Sequence, residues 1–230
     1  MVYQTRLIRP DRDWMLFVDG ENLSKRGAEA LRANGIKPYE GPYWRRDVFL
    51  WLPGSQATYP FFVQQPFRGF SRPLNDATPL PPGPRPAQRA YYYTSTVSDE
   101  PEWTQTRLAL RDLGFEPCLF KRTQGKSKAV DISLATDLLT LGGEDQYDVA
   151  VIVAGDGDYL PLLSAVKRRG HHVVVCFFAE YGLNNELRIA ADDFVDLTPH
   201  FVEHWTAHLQ TREQEAAKAE AERAKGASST

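Results

Sequence analysis

This 230-residue sequence has few cysteines, no long apolar run and little net charge. Its two cysteines, Cys118 and Cys176, each lie in an apolar stretch without a CxxC partner, which argues against a disulfide framework and is typical of a reducing compartment. No apolar run approaches the length that crosses a membrane, and residues 1–20 carry charges where a signal peptide needs its apolar region. We therefore expect a cytoplasmic protein with no membrane partner.

The formal net charge is only −3. A balance this close to neutral gives no global attraction to a polyanion, so nucleic-acid binding has to depend on local basic clusters. The P-loop pattern GxxxxGK[ST] and the dinucleotide-binding pattern GxGxxG are both absent from the sequence. The sequence therefore gives no support to the two enzyme classes that those patterns identify.

Five short apolar runs alternate with helical patterns, and this alternation predicts an α/β fold built from parallel βαβ units. The predicted strands are WMLFVD (14–19), AYYYTS (90–95), FEPCLF (115–120), DVAVIVA (148–154) and HVVVCFF (172–178). The predicted helices cover residues 21–34, 101–114, 130–141 and 156–170. Each connection between strands is long enough to hold one of these helices.

Proline interrupts this pattern between the first and second units. Residues 53–89 contain nine prolines, so neither a helix nor a central strand can run through most of the segment. DVFLW (47–51) and TYPFFV (58–63) are candidates for a small hairpin, whereas residues 66–88 are predicted to be irregular, and either mobile or pinned across the binding crevice as a lid. We place the main domain at residues 1–200, with the Pro-rich insertion at about 38–89, and a C-terminal helix with a disordered tail at 201–230.

Four aspartates follow predicted strands or open predicted helices. Asp19 ends the first strand, Asp131 opens the helix after the third, and Asp156 and Asp158 follow the fourth within VIVAGDGDYLPLL. The carboxyl ends of parallel strands share one sheet edge, so these side chains are expected to converge there. Converging carboxylates repel one another unless a cation neutralises them, and hard oxygen ligands favour Mg²⁺ or Mn²⁺, which suits phosphate-ester hydrolysis.

A simpler interpretation exists for each of these residues. Asp19 is also a typical helix N-cap, Asp131 a typical first-turn acid, and Asp156 or Asp158 a typical Asx-turn residue. Asp137 follows Asp131 by six residues, about 240° around the helix, and is therefore left out of the site. A single metal site explains the four aspartates together, whereas the simpler interpretations need four independent reasons for an aspartate at the same sheet edge.

Four motifs follow one another in this sequence: FVDGENL, KAVDISLATDLL, VIVAGDGDYLPLLSAVKRRGHHVVV and NNELRIAADDFVDL. In their order and spacing they resemble the NYN domain, a PIN-like nuclease family that includes the LabA-like proteins. The resemblance implies a doubly wound parallel sheet of order 3-2-1-4-5. It also implies metal-dependent hydrolysis of RNA, with Asn22 beside an acidic metal cluster of Asp19, Asp131, Asp156 and Asp158. The sequence departs from the family pattern in its long insertion and in Ala154, where a serine hydroxyl often precedes the Gly-Asp pair.

Two further clusters each allow two interpretations. The basic segment FKRTQGKSK (120–128) places Arg122, Lys126 and Lys128 before Asp131, either as a clamp for backbone phosphates or as a solvated loop. The histidines at positions 200, 204 and 208 recur at helical spacing, which is either a zinc pair or an ordinary amphipathic boundary.

The leading functional hypothesis is an Mg²⁺- or Mn²⁺-dependent endoribonuclease that acts on RNA, with DNA left open and the oligomeric state undetermined. One alternative is a non-cleaving RNA-binding or scaffold module of the same fold, whose protein partners engage the Pro-rich insertion or the C-terminal helix. The other is a Toprim-like or phosphatase-like phosphotransfer domain. In that scheme Glu21 supplies the second acid after Asp19, but Asp131 is left without a role.

Overall fold

The computed structural model describes residues 12–59, 85–97, 100–122 and 128–227, and the side chains of residues 128 and 224–227 are not described. Its centre is a six-stranded sheet in which every pairing is parallel. Within the described residues the strands are β1 (Trp14–Asp19), β2 (Trp44–Arg45), β3 (Phe49–Leu50), β4 (Arg89–Thr96), β5 (Glu116–Lys121), β6 (Val149–Val153), β7 (His172–Phe177) and β8 (Asp193–Asp196). The α-helices of the same ranges are α1 (Gly20–Ala33), α2 (Glu100–Asp112), α3 (Lys128–Gly143), α4 (Leu160–Arg168), α5 (Asn185–Ala190) and α6 (Thr198–Ala227).

The strand order of the central sheet is β5-β4-β1-β6-β7-β8. All five predicted strands are present and lie in the predicted order, which confirms the doubly wound α/β fold. The sixth strand, β8, extends the sheet beyond the prediction. It has only four residues, DFVD, and aspartate is depleted in strands, so its sequence is typical of a loop.

Side chains of the central sheet alternate between two apolar layers, because successive residues of a strand point to opposite faces. In β1, Leu16 and Val18 pack into the layer that contains buried residues of α1, α2 and α6. Met15 and Phe17 pack into the opposite layer with buried residues of α3 and α4. Helices therefore cover both faces, and the strand ends provide the crevices.

The first part of the predicted insertion belongs to the core. β2 and β3 pair with each other, so Phe49–Leu50 forms a hairpin with Trp44–Arg45. Residues 60–63 of TYPFFV, the predicted partner, lie outside the described residues. The hydroxyl of Tyr92 in β4 donates to the Leu50 carbonyl and accepts from the Leu50 N–H group. Burial of Leu50 and its neighbours fixes this hairpin against the α1 face of the sheet.

The Pro-rich segment leaves and rejoins the fold at one place. The Ala87 N–H group donates to the Thr58 carbonyl at 2.8 Å, and Gln88 N–H donates to the carbonyl of Trp14 at 3.0 Å. Trp14 is the first residue of β1, so this stem lies at the amino edge of the sheet. Residues 85–88 contain no helix, as predicted, whereas residues 66–84 of that prediction lie outside the described residues.

The last helix, α6, begins inside the core and ends in solvent. Phe201 and Trp205 are buried against the α1 layer, and the side chains from position 210 to 223 are exposed. His204 contacts the Pro53 carbonyl at 2.9 Å and His208 contacts the Tyr39 hydroxyl at 2.6 Å. These contacts favour the amphipathic-boundary interpretation of the histidines. Among the residues described, no helix combines the length and the apolar character needed to cross a membrane.

Candidate active site

The candidate site lies at the carboxyl edge of the sheet, where β1 and β6 end side by side. Asp19 is the last residue of β1, and Asp156 follows β6 after a short turn. Gly20, which follows Asp19, allows α1 to start close to β4, because a Cβ atom there would lie 2.8 Å from the Tyr93 carbonyl oxygen. The start of α1 therefore holds Asp19 deep at this edge.

Asp19 is buried and its orientation is fixed. Its side chain is 4% exposed, and Oδ1 accepts a hydrogen bond from Asn22 N–H at 3.0 Å, so it caps α1 as the simpler interpretation predicted. The pKa of its carboxyl is raised from 3.8 to about 7, chiefly by burial. The carboxylates of Asp131 and Glu21 also raise this pKa, while the hydrogen bonds from Asn22 and Tyr159 lower it. A helix cap alone does not require a carboxyl buried beside two other acids.

Tyr159 joins Asp19 to Asp131. Its hydroxyl lies 3.1 Å from Asp19 Oδ2 and 3.1 Å from Asp131 Oδ1. Tyr159 is 4% exposed, and burial raises the pKa of its phenol, so the phenol stays protonated and remains a donor. Sequence reasoning missed this residue, although its position directly after the GDGD turn was a usable signal.

Asp131 lies in the first turn of α3, as predicted, and is an exposed residue. Partial desolvation raises the pKa of its carboxyl, whereas the hydrogen bond from Tyr159 lowers it. The charges of Asp156 and Asp158 raise that pKa as well. The structure thus brings Asp131 into the electrostatic field of the other predicted site residues.

Asp156 and Asp158 belong to a 3₁₀ turn, Gly157–Tyr159, between β6 and α4. Asp156 Oδ1 accepts from Asp158 N–H at 3.1 Å, so the predicted Asx-type turn is present, and both side chains are exposed. A Cβ atom on Gly157 would lie 2.3 Å from Asn184 Nδ2, and the Asn184 N–H group donates to the carbonyl of Gly155 at 2.8 Å. The loop before α5 therefore packs directly against the turn and fixes its position.

The donor chemistry of this edge fits a hard divalent cation. Among the described residues Asn22 Oδ1 is buried with no hydrogen-bond partner, beside a carboxylate whose pKa is raised by burial and by other acids. In the part of the chain that the structure describes, however, no three His, Cys, Asp or Glu side chains are arranged closely enough to hold one ion. The metal cluster of Asp19, Asp131, Asp156 and Asp158 therefore stays a prediction.

Arg122 is engaged within the protein. Its guanidinium donates to the Ser95 hydroxyl at 2.9 Å, to the Ser95 carbonyl at 3.2 Å and to the carbonyl of Asp47 at 3.0 Å. It also lies 3.6 Å from a carboxylate oxygen of Glu21, which accepts a hydrogen bond from Ser95. These contacts tie the end of β5 to α1 and β4, and they weigh against Glu21 as a free second acid of the phosphatase type.

The other basic candidates are only partly described. Lys126 lies outside the described residues, and Lys128 is the first residue of α3, with its side chain not described. Their predicted role as phosphate contacts is therefore still a prediction. Asp137, which the helical geometry left out of the site, accepts a hydrogen bond from Tyr93 at 2.9 Å.

Comparison with known proteins agrees with this geometry. The family model of the NYN domain matches residues 14–198. The chain is also similar to the crystal structure of a protein of unknown function from Vibrio parahaemolyticus, with a TM-score of 0.55 and 20% sequence identity, over 84% of this chain and 99% of that one. No curated protein matches the chain. Because the family match includes every strand of the central sheet and all four aspartates, this chain belongs to the NYN domain family, within the PIN-like nuclease superfamily.

Proposed function

We propose that this protein is a metal-dependent endoribonuclease that hydrolyses RNA phosphodiester bonds at the carboxyl edge of its sheet. The observation that carries the proposal is the junction of Asp19 and Asp131, which come from separate elements and share one hydroxyl donor. Asp156 and Asp158 are close enough for their charges to raise the pKa of Asp131. Such a concentration of negative charge is costly unless a cation is bound.

The proposed cofactor is Mg²⁺ or Mn²⁺, held by Asp19, Asp131, Asp156 and Asp158. When bound, it would supply an activated water and stabilise charge on the attacking and leaving oxygens. The α1 cap orients Asp19, because the Asn22 N–H group fixes one carboxylate oxygen. The unpaired Asn22 Oδ1 offers one more hard oxygen acceptor beside it, for a water or a substrate hydroxyl.

We assign substrate binding to the basic residues between the end of β5 and the first residue of α3. Lys126 and Lys128 would contact backbone phosphates, which position a strand without reading its sequence. Arg122 contributes positive charge to the same region, although four of its contacts are internal. RNA is the proposed substrate, with DNA as the competitor that the experiment includes. The two free cysteines favour action in the cytoplasm.

The second candidate is a non-cleaving RNA-binding or scaffold module of the same fold. One observation favours it: no three acidic side chains in the described ranges are already arranged around a common ion position. In that case protein partners would engage the Pro-rich insertion or the exposed half of α6. The two candidates share RNA binding and differ in chemistry.

Labelled RNA and DNA oligonucleotides, incubated with the purified protein and Mg²⁺, Mn²⁺ or a chelator, separate these candidates. The endoribonuclease proposal predicts internal cuts in RNA that the chelator abolishes. A parallel preparation of Asp156→Asn controls for contaminating nucleases, because asparagine retains the oxygen that caps the turn. RNA binding without cutting by the wild-type protein would contradict the nuclease proposal and support the scaffold.

A further inference from the structure

Tyr159 connects the 3₁₀ turn to two separate elements through a single hydroxyl. The hydroxyl is 3.1 Å from an oxygen of Asp19, at the end of β1, and 3.1 Å from an oxygen of Asp131, in the first turn of α3. The ring is buried in the apolar layer beneath α3 and α4, with only 4% of the residue exposed. The position of the hydroxyl is therefore set by core packing and not by solvent.

A tyrosine hydroxyl has one proton, so it donates to one of the two carboxylates at a time. Its position between them nevertheless sets their spacing. An ion of the Mg²⁺ type forms bonds of about 2.0–2.1 Å, so two oxygens that share it lie within about 4.2 Å of each other. Two oxygens that each lie 3.1 Å from the same hydroxyl can lie up to about 6.2 Å apart, which is beyond that limit.

The hydroxyl that these two carboxylates share offers a physical reason for the absence of a ready-made ion cage among the described side chains. Asp19 already uses both carboxylate oxygens, one with the Asn22 N–H group and one with Tyr159. Of these two donors, the backbone N–H group belongs to the helix cap and cannot leave without opening α1. The tyrosine hydroxyl is the one that an incoming cation can displace.

We propose that Tyr159 is a positioning residue that spaces the Asp19 and Asp131 carboxylates and has to be displaced before a divalent cation can bridge them. This inference rests on the proposed function, since it concerns the same carboxylates. It assigns to Tyr159 a direct influence on ion affinity: the hydroxyl competes with the cation for the same oxygen atoms. Removal of the hydroxyl therefore tightens ion binding.

The test compares Tyr159→Phe with Tyr147→Phe. Tyr147 is a matched control because it is 2% exposed in the same apolar layer and donates to the Leu138 carbonyl at 2.7 Å, away from the acids. Free Mn²⁺ is measured by electron paramagnetic resonance during titration of each protein at one fixed pH. We expect the Mn²⁺ dissociation constant of Tyr159→Phe to fall about tenfold, the effect of one hydrogen bond to a charged group. Tyr147→Phe should keep the wild-type constant.

An unchanged or higher dissociation constant in Tyr159→Phe overturns the inference, even if the wild-type protein cuts RNA normally. Mn²⁺ binding by Tyr159→Phe but not by the wild-type protein supports it. If neither protein binds Mn²⁺ and the wild-type protein does not cut RNA, the proposed function fails together with the inference. Should Tyr159→Phe not fold, a tyrosine difference spectrum of the wild-type protein on saturation with Mg²⁺ decides: a change supports displacement of the hydroxyl, and no change overturns it.

Discussion

Asp19→Asn should stabilise the cation-free protein, and the gain should increase with pH. Burial raises the pKa of the Asp19 carboxyl from 3.8 to about 7. Because this carboxyl has a higher pKa in the folded state than in the unfolded state, the wild-type protein loses stability as the pH rises from about 4 to about 7. At 1.36 kcal/mol per pH unit, the full loss amounts to about 4 kcal/mol above pH 7. Asparagine has no charge and avoids this loss.

The substitution also has a cost, because an amide has a single acceptor oxygen: it keeps a weaker hydrogen bond from Asn22 N–H, and its NH₂ group takes the place of the oxygen that accepts from Tyr159. These two changes weaken the folded state by about 1 kcal/mol each, which leaves a net gain of about 2 kcal/mol at pH 8. For a chain of this length, 1 kcal/mol corresponds to about 2–4 °C in Tm. We therefore expect Tm to rise by at least about 4 °C at pH 8 and to show no rise at pH 4.

Thermal unfolding followed by circular dichroism in a chelator-containing buffer, from pH 4 to pH 8, measures this difference. Asp145→Asn is the matched control, since Asp145 is exposed beyond the end of α3 and has a φ of 54° that asparagine tolerates well. Its Tm should follow the wild-type value at every pH. The Tm difference between Asp19→Asn and the wild-type protein is compared at the two pH values. If this difference is smaller at pH 8 than at pH 4, the claim that a buried charge is the dominant cost is refuted. Added Mn²⁺ should stabilise the wild-type protein more than Asp19→Asn.

Three further outcomes are expected. Asp156→Asn should abolish RNA cleavage by weakening cation coordination. RNA affinity in filter binding should stay near wild type, because removal of one crowded negative charge does not weaken binding to a polyanion. RNA cleavage by Asp156→Asn at the wild-type rate would contradict this prediction. Replacing Lys126 and Lys128 with alanine should weaken binding to all RNA sequences alike and lower the salt slope by roughly one per lost phosphate contact. Arg122→Ala should lower the free energy of unfolding in urea by about 1–3 kcal/mol, through lost hydrogen bonds of a charged group, whereas exposed Lys121→Ala should not.

Hydrophobic pattern was sufficient for five strands of the central sheet, because runs such as β1, β4 and β6 are apolar and bounded by turn residues and helical segments. The same rule missed β8, which in the described part of the chain pairs with β7 alone and is held partly by polar contacts. Asp192, just before it, accepts from Val173 N–H and lies 2.8 Å from the Lys167 ammonium. Contacts of this kind join residues that are distant in sequence and leave no periodic signal.

The candidate site likewise contains residues that the sequence could predict and residues that it could not. Asp19 and Asp156 were predictable because strand ends locate them, but the role of Tyr159 depends on a ring that crosses the core to reach two acids 140 and 28 positions away. Arg122 shows the converse: its charge was visible in the sequence, and its internal partners were not. The spacing of residues along the chain predicts where the backbone lies in the fold. The direction in which a long side chain points depends on tertiary packing, which the spacing does not show.

The stem of the Pro-rich segment has a practical consequence for protein engineering. Because one hydrogen bond of 2.8 Å joins Ala87 to Thr58, the fold closes on itself there, and a few glycine and serine residues could replace 60–84 at little entropic cost. β1 runs for six residues between this stem and Asp19, a distance of about 17 Å. A fluorescent protein or an immobilisation tag inserted between Tyr59 and Arg85 would therefore point away from the carboxylates, giving a reporter fusion whose candidate site remains open.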